Sequence, residues 1–466
     1  MEPEINNTRE KALQINLDPK PYGAFAEIGA GQEVARWFFR VGAAAGTIAK
    51  SISAYDMTVS DAIYGPCERY VSRQRLQTML NYEYDLQHGR LSAKRGDTTS
   101  FFVFANTVAA RSYGRQEDGH GWMGIRFQTR PKAPPSDIII HVRMVDRENV
   151  AQQEALGIMG VNLIYAALYL HSRPEALVES LMDSLGPERV EVDMIKFSGP
   201  DFPKLDNRLM ALQLVQHGLT NAAMFTSTGE VVQAAEVLYK KPILVARGTF
   251  RPVTRTAVDM LESAREEFLR DPDLSGEEPV VLTEMTLKNL AEGGVIDHKD
   301  FLDRVDILTA LGRTVLISNY GEFYRLAGYL FRYTKRKVGI VLGTPTLHEI
   351  FEEKYYVDLE GGILESFGRL FKNALKLYVY PFKDPASGVM VTPENLEVAP
   401  HLRHLLTYLM ENGHIQGLRH IHEDCLPIFS RDVLGRIKSG DVSWEPMVPP
   451  QVASMIKERR LFGCRG

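Results

Sequence analysis

The run from Tyr22 to Gly65, YGAFAEIGAGQEVARWFFRVGAAAGTIAKSISAYDMTVSDAIYG, constrains the fold more than any other part of the chain. It is the densest run of small residues in the sequence, and it also carries fixed charges. Small residues let backbone N–H groups approach a ligand closely, so this composition is typical of an anion-binding turn. We therefore interpret the run as the leading candidate ligand site. Its charged residues include Glu27, Glu33, Arg36, Lys50, Asp56 and Asp61.

The beginning of this run predicts a short strand that turns into a helix. Residues 24–28 form the strand, and the turn runs from Gly29 to Gly31. A dinucleotide-binding turn has a third small residue where Val34 stands, and an acid about 20 residues further on. Asp56 lies 25 residues after Gly31. Three interpretations stay open: a dinucleotide turn, a phosphate or nucleotide turn of another kind, and tight helix packing.

A second turn of small residues, 41–50, follows the helix and contains Gly46, Thr47 and Lys50. We expect both turns to supply N–H donors to an anionic ligand, with Lys50 as a point charge. Arg36 lies in the helix between the turns, where its guanidinium could bind a carboxylate or phosphate through two hydrogen bonds.

The loop at 113–124 is the other part of the predicted pocket. It follows an apolar, aromatic-rich strand at 99–106 and sets Arg115, His120 and Trp122 among four glycines. Polar and aromatic residues on a loop beyond a buried strand are typical of a ligand pocket, and the alternative is a plain hairpin loop.

A catalytic role is predicted for the histidine of this loop. His120 would titrate near neutrality and serve as a general acid or base, with Glu27 or Asp56 orienting its ring. The sequence therefore predicts one pocket for an anionic ligand, built from the two glycine turns and the His120 loop.

Composition excludes several classes of protein. A chain of 466 residues is long enough for about two to four domains. A net charge of -5 argues against a nucleic-acid partner, because binding a polyanion depends on clustered Lys and Arg. The three cysteines have no CxxC spacing, and the N-terminus is polar, unlike a signal peptide. We expect a cytoplasmic protein without a membrane partner, and we leave homo-oligomerisation open.

The longest apolar stretch, Leu156 to Leu170, has 15 residues and contains Asn162. It is too short to span a bilayer, so we expect a buried helix.

The order of the predicted elements indicates an α/β protein with three modules. Residues 1–200 read as an α+β module of hairpins and helices that holds the glycine-rich turns. Residues 201–384 alternate short apolar strands with helices, which predicts a doubly wound, mainly parallel sheet. Residues 385–466 read as a helical tail.

A second candidate site follows from this doubly wound sheet, because ligands of such sheets sit at the carboxyl ends of the strands. Hydroxyls and cations that converge on one edge suit a phosphate or carboxylate. The residues that we select there as ligand-binding are Arg247, Arg251, Ser318 and Thr344.

Histidines of the C-terminal region do not predict a metal site. His401 and His404 share a helix face, but His420 and His422 lack a ligand spacing. We interpret them as surface or capping residues, and the sequence indicates no particular cofactor.

Residues 222–230 and 311–319 resemble the core of the haloacid-dehalogenase phosphatases. In that family one strand ends in two aspartates, and a later strand ends in serine or threonine. Here Thr226 and Thr228 stand in the aspartate positions, and Ser318 ends the later strand. Without a carboxylate there is no aspartyl-phosphate chemistry, so the resemblance implies a fold and no phosphatase activity.

Six segments spread along the chain carry a second resemblance: YGAFAEIGAGQEVARWFFRVGAAAGTIAKSISAYDM, HGWMGIRFQ, Ile138 to Met144, QEALGIMGVNLIY, DNRLMALQLVQHGLTNAAMF and LVARGTFRPVT. Through them the chain resembles a widespread bacterial family commonly labelled nicotinate-nucleotide adenylyltransferase, and in some members TonB-dependent receptor. The first label implies an HxGH signature in the first strand-to-helix turn, where it holds the triphosphate. The pieces nearest to it, at 343–348 and 119–121, do not complete it.

Two functions are weighed on these grounds. The first is an enzyme acting on a nucleotide or another phosphorylated metabolite, of the nucleotidyl- or phosphoryl-group transferase kind. The second is a non-catalytic sensor or scaffold with a degenerate nucleotide-type fold, which the threonines in place of aspartates favour. Either way, the expected ligand is a small anionic metabolite or nucleotide.

Overall fold

The computed structural model describes residues 7–111, 119–274, 276–291 and 294–464. The chain divides into two compact units, Met1–Asn221 and Ala222–Gly466, each built around one large sheet. The α/β class expected from the sequence is confirmed. The finer division into modules at 1–200, 201–384 and 385–466 stays a prediction.

The first unit contains a mixed sheet of six strands in the order β2-β1-β3-β4-β5-β6. Its strands are β1 (Pro21–Gly29), β2 (Ile48–Ala54), β3 (Ser100–Ala109), β4 (Gly119–Phe127), β5 (Ser136–Met144) and β6 (Val190–Ser198). β1, β2 and β3 are parallel, whereas β4, β5 and β6 each run antiparallel to the strand before them. The beginning of β4 therefore lies beside the carboxyl end of β3.

Helices cover both faces of this sheet. They are α1 (Thr8–Leu17), α2 (Val34–Val41), α3 (Met57–Tyr64), α4 (Arg73–Arg95), α5 (Asn149–Tyr165), α6 (Pro174–Ser180) and α7 (Asn207–Gln216). Strand alternation sends Phe25, Phe102 and Phe104 to one face, where they pack in the core with α1, α2 and α5. On the other face, Leu76 and Leu80 of α4 lie against the sheet at Gly124.

Among the described residues, one helix is long and apolar enough to cross a membrane by length and composition. It is α5 together with the π-helix Ala166–Leu170 that continues it, 22 residues in all, and 78% of its apolar window is buried. Its side chains, among them Leu156, Met159 and Leu163, belong to the core of the first unit. The buried helix expected from the sequence is confirmed, although it begins before residue 156.

The second unit contains an eight-stranded sheet in the order β16-β13-β12-β9-β10-β11-β7-β8. Its strands are β7 (Ala222–Phe225), β8 (Val231–Val232), β9 (Ile243–Arg247), β10 (Val280–Thr286), β11 (Thr314–Ser318), β12 (Val338–Gly343), β13 (Leu375–Tyr380) and β16 (Ile415–Gly417). A separate hairpin joins β14 (Phe382–Lys383) to β15 (Met390–Val391). The strands from β9 to β13, with β16, are parallel, which confirms the mainly parallel sheet.

Helices lie between these strands and after them. They are α8 (Ala234–Leu238), α9 (Arg255–Leu269), α10 (Leu287–Leu290), α11 (His298–Ala310), α12 (Phe323–Leu330), α13 (Thr344–Ile350), α14 (Gly362–Leu370), α15 (Arg403–Glu411), α16 (Ser430–Ser439) and α17 (Pro450–Arg459). Neighbouring residues Leu244 and Val245 of β9 enter separate apolar cores, as expected for a sheet covered on both faces. The region after β13 is mostly helical and adds β16 to the sheet edge.

One strand of the second unit runs against the sequence-based expectation. β7 was expected to be the first parallel strand, with Thr226 and Thr228 at its carboxyl end beside Ser318. It is antiparallel to β11 instead, with Ala222 opposite Ser318 and Phe225 opposite Val315. The two threonines therefore lie at the opposite edge from Ser318, and the phosphatase-like arrangement does not form. A four-residue apolar strand carries no sign of its direction, so the sequence could not show this.

Candidate functional site

The glycine turn after β1 is shaped by packing against β3. Gly29 has a φ of +75°, and a Cβ placed there would lie 2.2 Å from the Val108 carbonyl oxygen. A Cβ on Gly31 would lie 2.4 Å from the Asn106 side chain. Glycine at both positions lets the chain pass close to β3.

The N-terminus of α2 already holds a carboxylate from the chain itself. Glu27, buried on β1, accepts hydrogen bonds from the backbone N–H groups of Val34 (2.9 Å) and Ala35 (3.2 Å). Asn106 Nδ2 donates to the same carboxylate at 3.4 Å. Burial raises the pKa of Glu27 to about 7. These N–H groups are the ones that would otherwise receive an anionic ligand, so Glu27 fills that position.

The predicted cations of this region are paired with carboxylates on different sides of the sheet. Arg36 is exposed and forms an ion pair with Glu33 at 3.1 Å. Lys50 forms an ion pair with Glu83 of α4, a buried carboxylate that also accepts from the Tyr64 hydroxyl at 2.8 Å. Lys50 therefore lies on the α4 face, whereas Glu27 lies on the α2 face. The structure does not bring these groups together around one ligand.

The remaining residues of the two turns have local structural roles. Asp56 caps α3 by accepting from the Val59 N–H at 3.1 Å. Gly46 ends the short 3₁₀ helix Ala44–Gly46 and faces open space. Thr47 is buried, and its carbonyl accepts from the Gly23 N–H at 2.8 Å.

His120 belongs to a hydrogen-bonded chain of three buried or half-buried side chains. Its Nδ1 lies 3.1 Å from Nε2 of His141, and Nδ1 of His141 lies 2.6 Å from Oδ1 of Asp193. The three residues come from β4, β5 and β6. Burial, and then the neighbouring His141, lower the pKa of His120 to about 4. The partner of His120 is therefore His141, and not Glu27 or Asp56 as the sequence predicted, because those two carboxylates cap helices.

The two residues that sequence reasoning missed owe their positions to an irregularity in the sheet. The β5–β6 register shifts after His141, so Asp193 is the extra residue of a bulge between Val192 and Met194. The available signal for His141 was a polar residue between the apolar Ile140 and Val142 of β5. Trp122 is buried and packs edge-on against His141, with ring centroids 4.9 Å apart, so it supports the imidazole. Arg115, also predicted for this pocket, lies outside the described residues.

In the second unit, two of the predicted carboxyl-end residues, Arg247 and Ser318, meet at the carboxylate of Glu284. Glu284, fully buried on β10, accepts from Nε of Arg247 at 2.8 Å and from its Nη2 at 3.0 Å. Ser318 Oγ donates to the same carboxylate at 2.6 Å. Arg247 also donates to the Gly321 carbonyl at 2.7 Å. The network links the ends of β9, β10 and β11 through hydrogen bonds. The Glu284 carboxylate neutralises the Arg247 guanidinium.

The other two selected residues lie on the same edge and are also engaged. Arg251 Nε donates to Asp300 at 2.7 Å, and Asp300 also pairs with the buried Arg304. The Thr344 hydroxyl lies 2.9 Å from the Tyr380 carbonyl oxygen. These side chains hold loops in place at the carboxyl edge.

The strand order locates a crevice at this edge. In chain order, β9, β10 and β11 are added side by side in one direction across the sheet. The next strands, β12, β13 and β16, are added on the opposite side of β9. The parallel strands thus have the order 3-2-1-4-5-6 of dinucleotide-binding folds, with the reversal between β9 and β12. Gly248 and Thr249 follow β9, and Gly343 ends β12. A Cβ on Gly343 would meet no atom nearer than Pro345 Cδ at 3.5 Å, so a side chain fits at this position.

A cleft of about 870 Å³ opens at the same edge, between the β14–β15 hairpin and the beginning of α16. Its lining includes Lys383, Phe429 and Arg431. Ser430, which also lines it, donates its hydroxyl to the Arg251 carbonyl at 2.8 Å. The cleft therefore borders the loop that follows β9, and its volume lies within the usual range for small-molecule sites.

No group of three or more His, Cys, Asp or Glu side chains in the described ranges could hold a metal ion. His401 pairs with Glu353 at 2.9 Å. The His422 imidazole hydrogen-bonds to Asp259, which raises its pKa.

No protein-family model matches this sequence, and no curated protein matches it significantly. Among solved structures, the chain is similar to a competence or damage-inducible protein from Enterobacter asburiae, with 13% identity over 35% of this chain and 97% of that one, and a TM-score of 0.25. It is also similar to the competence/damage inducible protein CihA from Agrobacterium tumefaciens, with 16% identity over 37% and 96% of the two chains and a TM-score of 0.24. At these scores the likeness supports no argument about function.

Proposed function

We propose that this protein is an enzyme that acts on a nucleotide or another small phosphorylated metabolite, bound at the carboxyl edge of the second unit's sheet. The observation that carries the proposal is the strand order, with its reversal between β9 and β12. Ligands of open parallel sheets bind outside the carboxyl ends of the strands where the order reverses. A nucleotidyl- or phosphoryl-group transferase is the reaction class that we propose for this position.

Features of the edge itself support the same position. The buried network of Arg247, Glu284 and Ser318 fixes the ends of three strands, so a ligand would meet a surface that is already ordered. The neighbouring cleft, which borders the loop after β9, has the volume of a small-molecule site.

The chain departs from the adenylyltransferase signature at this edge. The first strand-to-helix turn of the parallel sheet, from β9 to α9, reads Gly-Thr-Phe-Arg-Pro-Val-Thr at 248–254 and contains no histidine. If the reaction is a nucleotidyl transfer, backbone groups and other side chains must bind the triphosphate.

A non-catalytic ligand-binding sensor is the second candidate, and one observation favours it. Arg247 pairs with Glu284, and Arg251 pairs with Asp300. Transfer of a phosphoryl or nucleotidyl group depends on positive charge at the transferring phosphate. Cations already neutralised by carboxylates would bind a ligand without stabilising that charge, so turnover of a bound ligand separates the two candidates.

The test is a thermal-unfolding screen with ATP, ADP, a nucleoside monophosphate and ribose 5-phosphate, followed by calorimetric titration of any compound that raises the Tm. We expect at least one nucleotide to bind. Gly343→Leu, which fills the crevice without backbone strain, should weaken that binding at least tenfold. Gly328→Leu is the matched control, because Gly328 is exposed on α12 with open space around it. Binding that Gly343→Leu leaves unchanged, or no binding by any compound, would overturn the proposal.

A further inference from the structure

Residues 420–430, which we call the wall segment, form one side of the cleft at the carboxyl edge of the second unit. Four of them line the cleft, on the side opposite the β14–β15 hairpin: Glu423, Pro427, Phe429 and Ser430. The segment follows β16 and contains one short 3₁₀ helix, Glu423–Cys425. Its position therefore depends mainly on what holds it against the neighbouring helix, α9.

The first turn of α9 holds the middle of the wall segment. The Thr256 hydroxyl lies 2.6 Å from the carbonyl oxygen of Cys425 and 2.9 Å from that of Ile428. Arg255 pairs with Asp424 at 2.6 Å, and both side chains are exposed. These contacts keep the Cys425 thiol buried beneath the segment.

Asp259, one turn further along α9, holds the beginning of the segment. Its buried side chain accepts from the Tyr380 hydroxyl of β13 at 2.6 Å and from the His422 backbone N–H at 3.0 Å. Nδ1 of the His422 ring hydrogen-bonds to its other oxygen. The His422 side chain is 77% exposed, so its imidazole exchanges protons with solvent while it stays bound to Asp259. The contact therefore changes with the charge of His422.

We propose that His422 and Asp259 form a pH-sensitive clasp on the wall of the cleft. A protonated imidazole donates a charge-assisted hydrogen bond to Asp259 and holds the wall segment on α9. The neutral imidazole keeps only a neutral hydrogen bond, which is weaker. The segment then opens more often, and the cleft loses that wall for a larger fraction of the time.

The direction of the pH dependence follows from the groups around the ring. The hydrogen bond to Asp259 raises the pKa of His422, the charge of Asp424 adds to this, and Arg255 opposes it. Burial raises the pKa of Cys425 and of Tyr380, so these two neighbours stay neutral near pH 7.

A pKa that is higher in the closed state than in the open one makes closure strongest at low pH. The clasp is therefore fully formed below about pH 6.5, the ordinary pKa of histidine, and is lost as pH rises through the raised pKa.

The wall segment carries a second histidine that serves as a matched control. Nε2 of His420 lies 4.0 Å from Oε1 of Glu267, also on α9, which is beyond hydrogen-bond distance. His420 and His422 thus lie on the same segment and face the same helix, but His422 is the one with a ring hydrogen bond to it. Their variants separate the clasp from a general effect of histidine charge.

The first test is a proton NMR titration of the histidine rings in the full chain, and it needs no variant for its outcome. His404, exposed on α15, is the reference. We expect His422 to titrate at a higher pH than His404. A His422 that titrates at the same pH as His404, or at a lower pH, would overturn the clasp.

The second test measures opening through the thiol of Cys425, which is 3% exposed while the segment is closed. The full chain is alkylated with iodoacetamide at pH 6 and pH 8, and labelling is mapped by peptide mass spectrometry. Cys464, which is partly exposed, corrects for the pH dependence of the reagent. We expect the ratio of Cys425 to Cys464 labelling to rise by about threefold or more from pH 6 to pH 8. A constant ratio, or a Cys425 that is never labelled, contradicts the proposal.

Two variants decide whether His422 causes the rise. His422→Asn keeps a side-chain donor for Asp259 but carries no charge, so its labelling ratio should be the same at both pH values. His420→Asn should show the same rise as the parent. A rise that persists in His422→Asn, or that disappears in His420→Asn, would overturn the clasp. These readouts use no nucleotide, so their failure leaves the proposed function untouched.

Discussion

The two units differ in what occupies the carboxyl ends of their parallel strands. In the first unit, Gly29 and Gly31 bring the chain against β3, and Glu27 caps α2, so the turn after β1 is filled by the protein's own groups. In the second unit, the ends of β9, β10 and β11 are joined below the edge by a buried network, and space is left at Gly343. A glycine-rich turn can therefore arise from close packing of the chain against a neighbouring strand, without a ligand.

Removing one cation from each unit should give the largest difference in stability between two variants. Arg247→Ala leaves the fully buried Glu284 carboxylate without its partner, which typically costs about 3–5 kcal/mol. Arg36→Ala removes an exposed pair with Glu33 and should change stability by no more than about 0.5 kcal/mol. Urea unfolding of both variants measures the difference. Equal losses would show that the network below the second edge is not rigid and buried as described.

Glycine substitutions in the first unit test whether its turn is shaped by packing. Gly29→Ala combines a positive φ with a Cβ 2.2 Å from the Val108 carbonyl oxygen, so we expect a loss of about 3 kcal/mol. Gly46→Ala meets no atom within 4 Å and should stay within about 0.5 kcal/mol of the parent. Thermal unfolding compares the two. A small loss of stability in Gly29→Ala would mean that the turn can move away from β3 and make room for a ligand.

The pH dependence of stability tests the role of Glu27. Its pKa rises from an ordinary 4.5 to about 7 in the folded chain, so between these values the folded state holds a proton that the unfolded state has lost. The contribution of Glu27 to stability should therefore fall as pH rises from about 4.5 to 7, by roughly 2–3 kcal/mol, and level off above. His120, whose pKa is lowered to about 4, contributes with the opposite sign up to about pH 6.5, so the parent must be compared with a Glu27 variant. Glu27→Gln should remove this component, and Glu33→Gln should keep it. Denaturant unfolding at pH 5, 6, 7 and 8 gives the slopes, and equal slopes for the parent and Glu27→Gln would contradict the assignment.

Much of the fold follows from local pattern, and much of the candidate site does not. The apolar runs at 99–106 and 156–170 predict β3 and the buried helix that includes α5, because burial of apolar side chains decides both. The direction of β7 and the bulge at Asp193 depend on pairing between strands that are distant in sequence. His120 could be selected from its loop, but His141 could not, because its role exists only once β4, β5 and β6 are paired.

The measurement that tests the central claim most directly is native mass spectrometry of the full chain, isolated gently at low temperature. We predict that part of the parent carries a nucleotide or another phosphorylated metabolite of defined mass, and that Gly343→Leu, purified in the same way, has lost it while Gly328→Leu has kept it. Parent and Gly343→Leu with the same bound mass, or a parent that carries no such mass and takes up none from added ATP, would contradict a ligand site between β9 and β12.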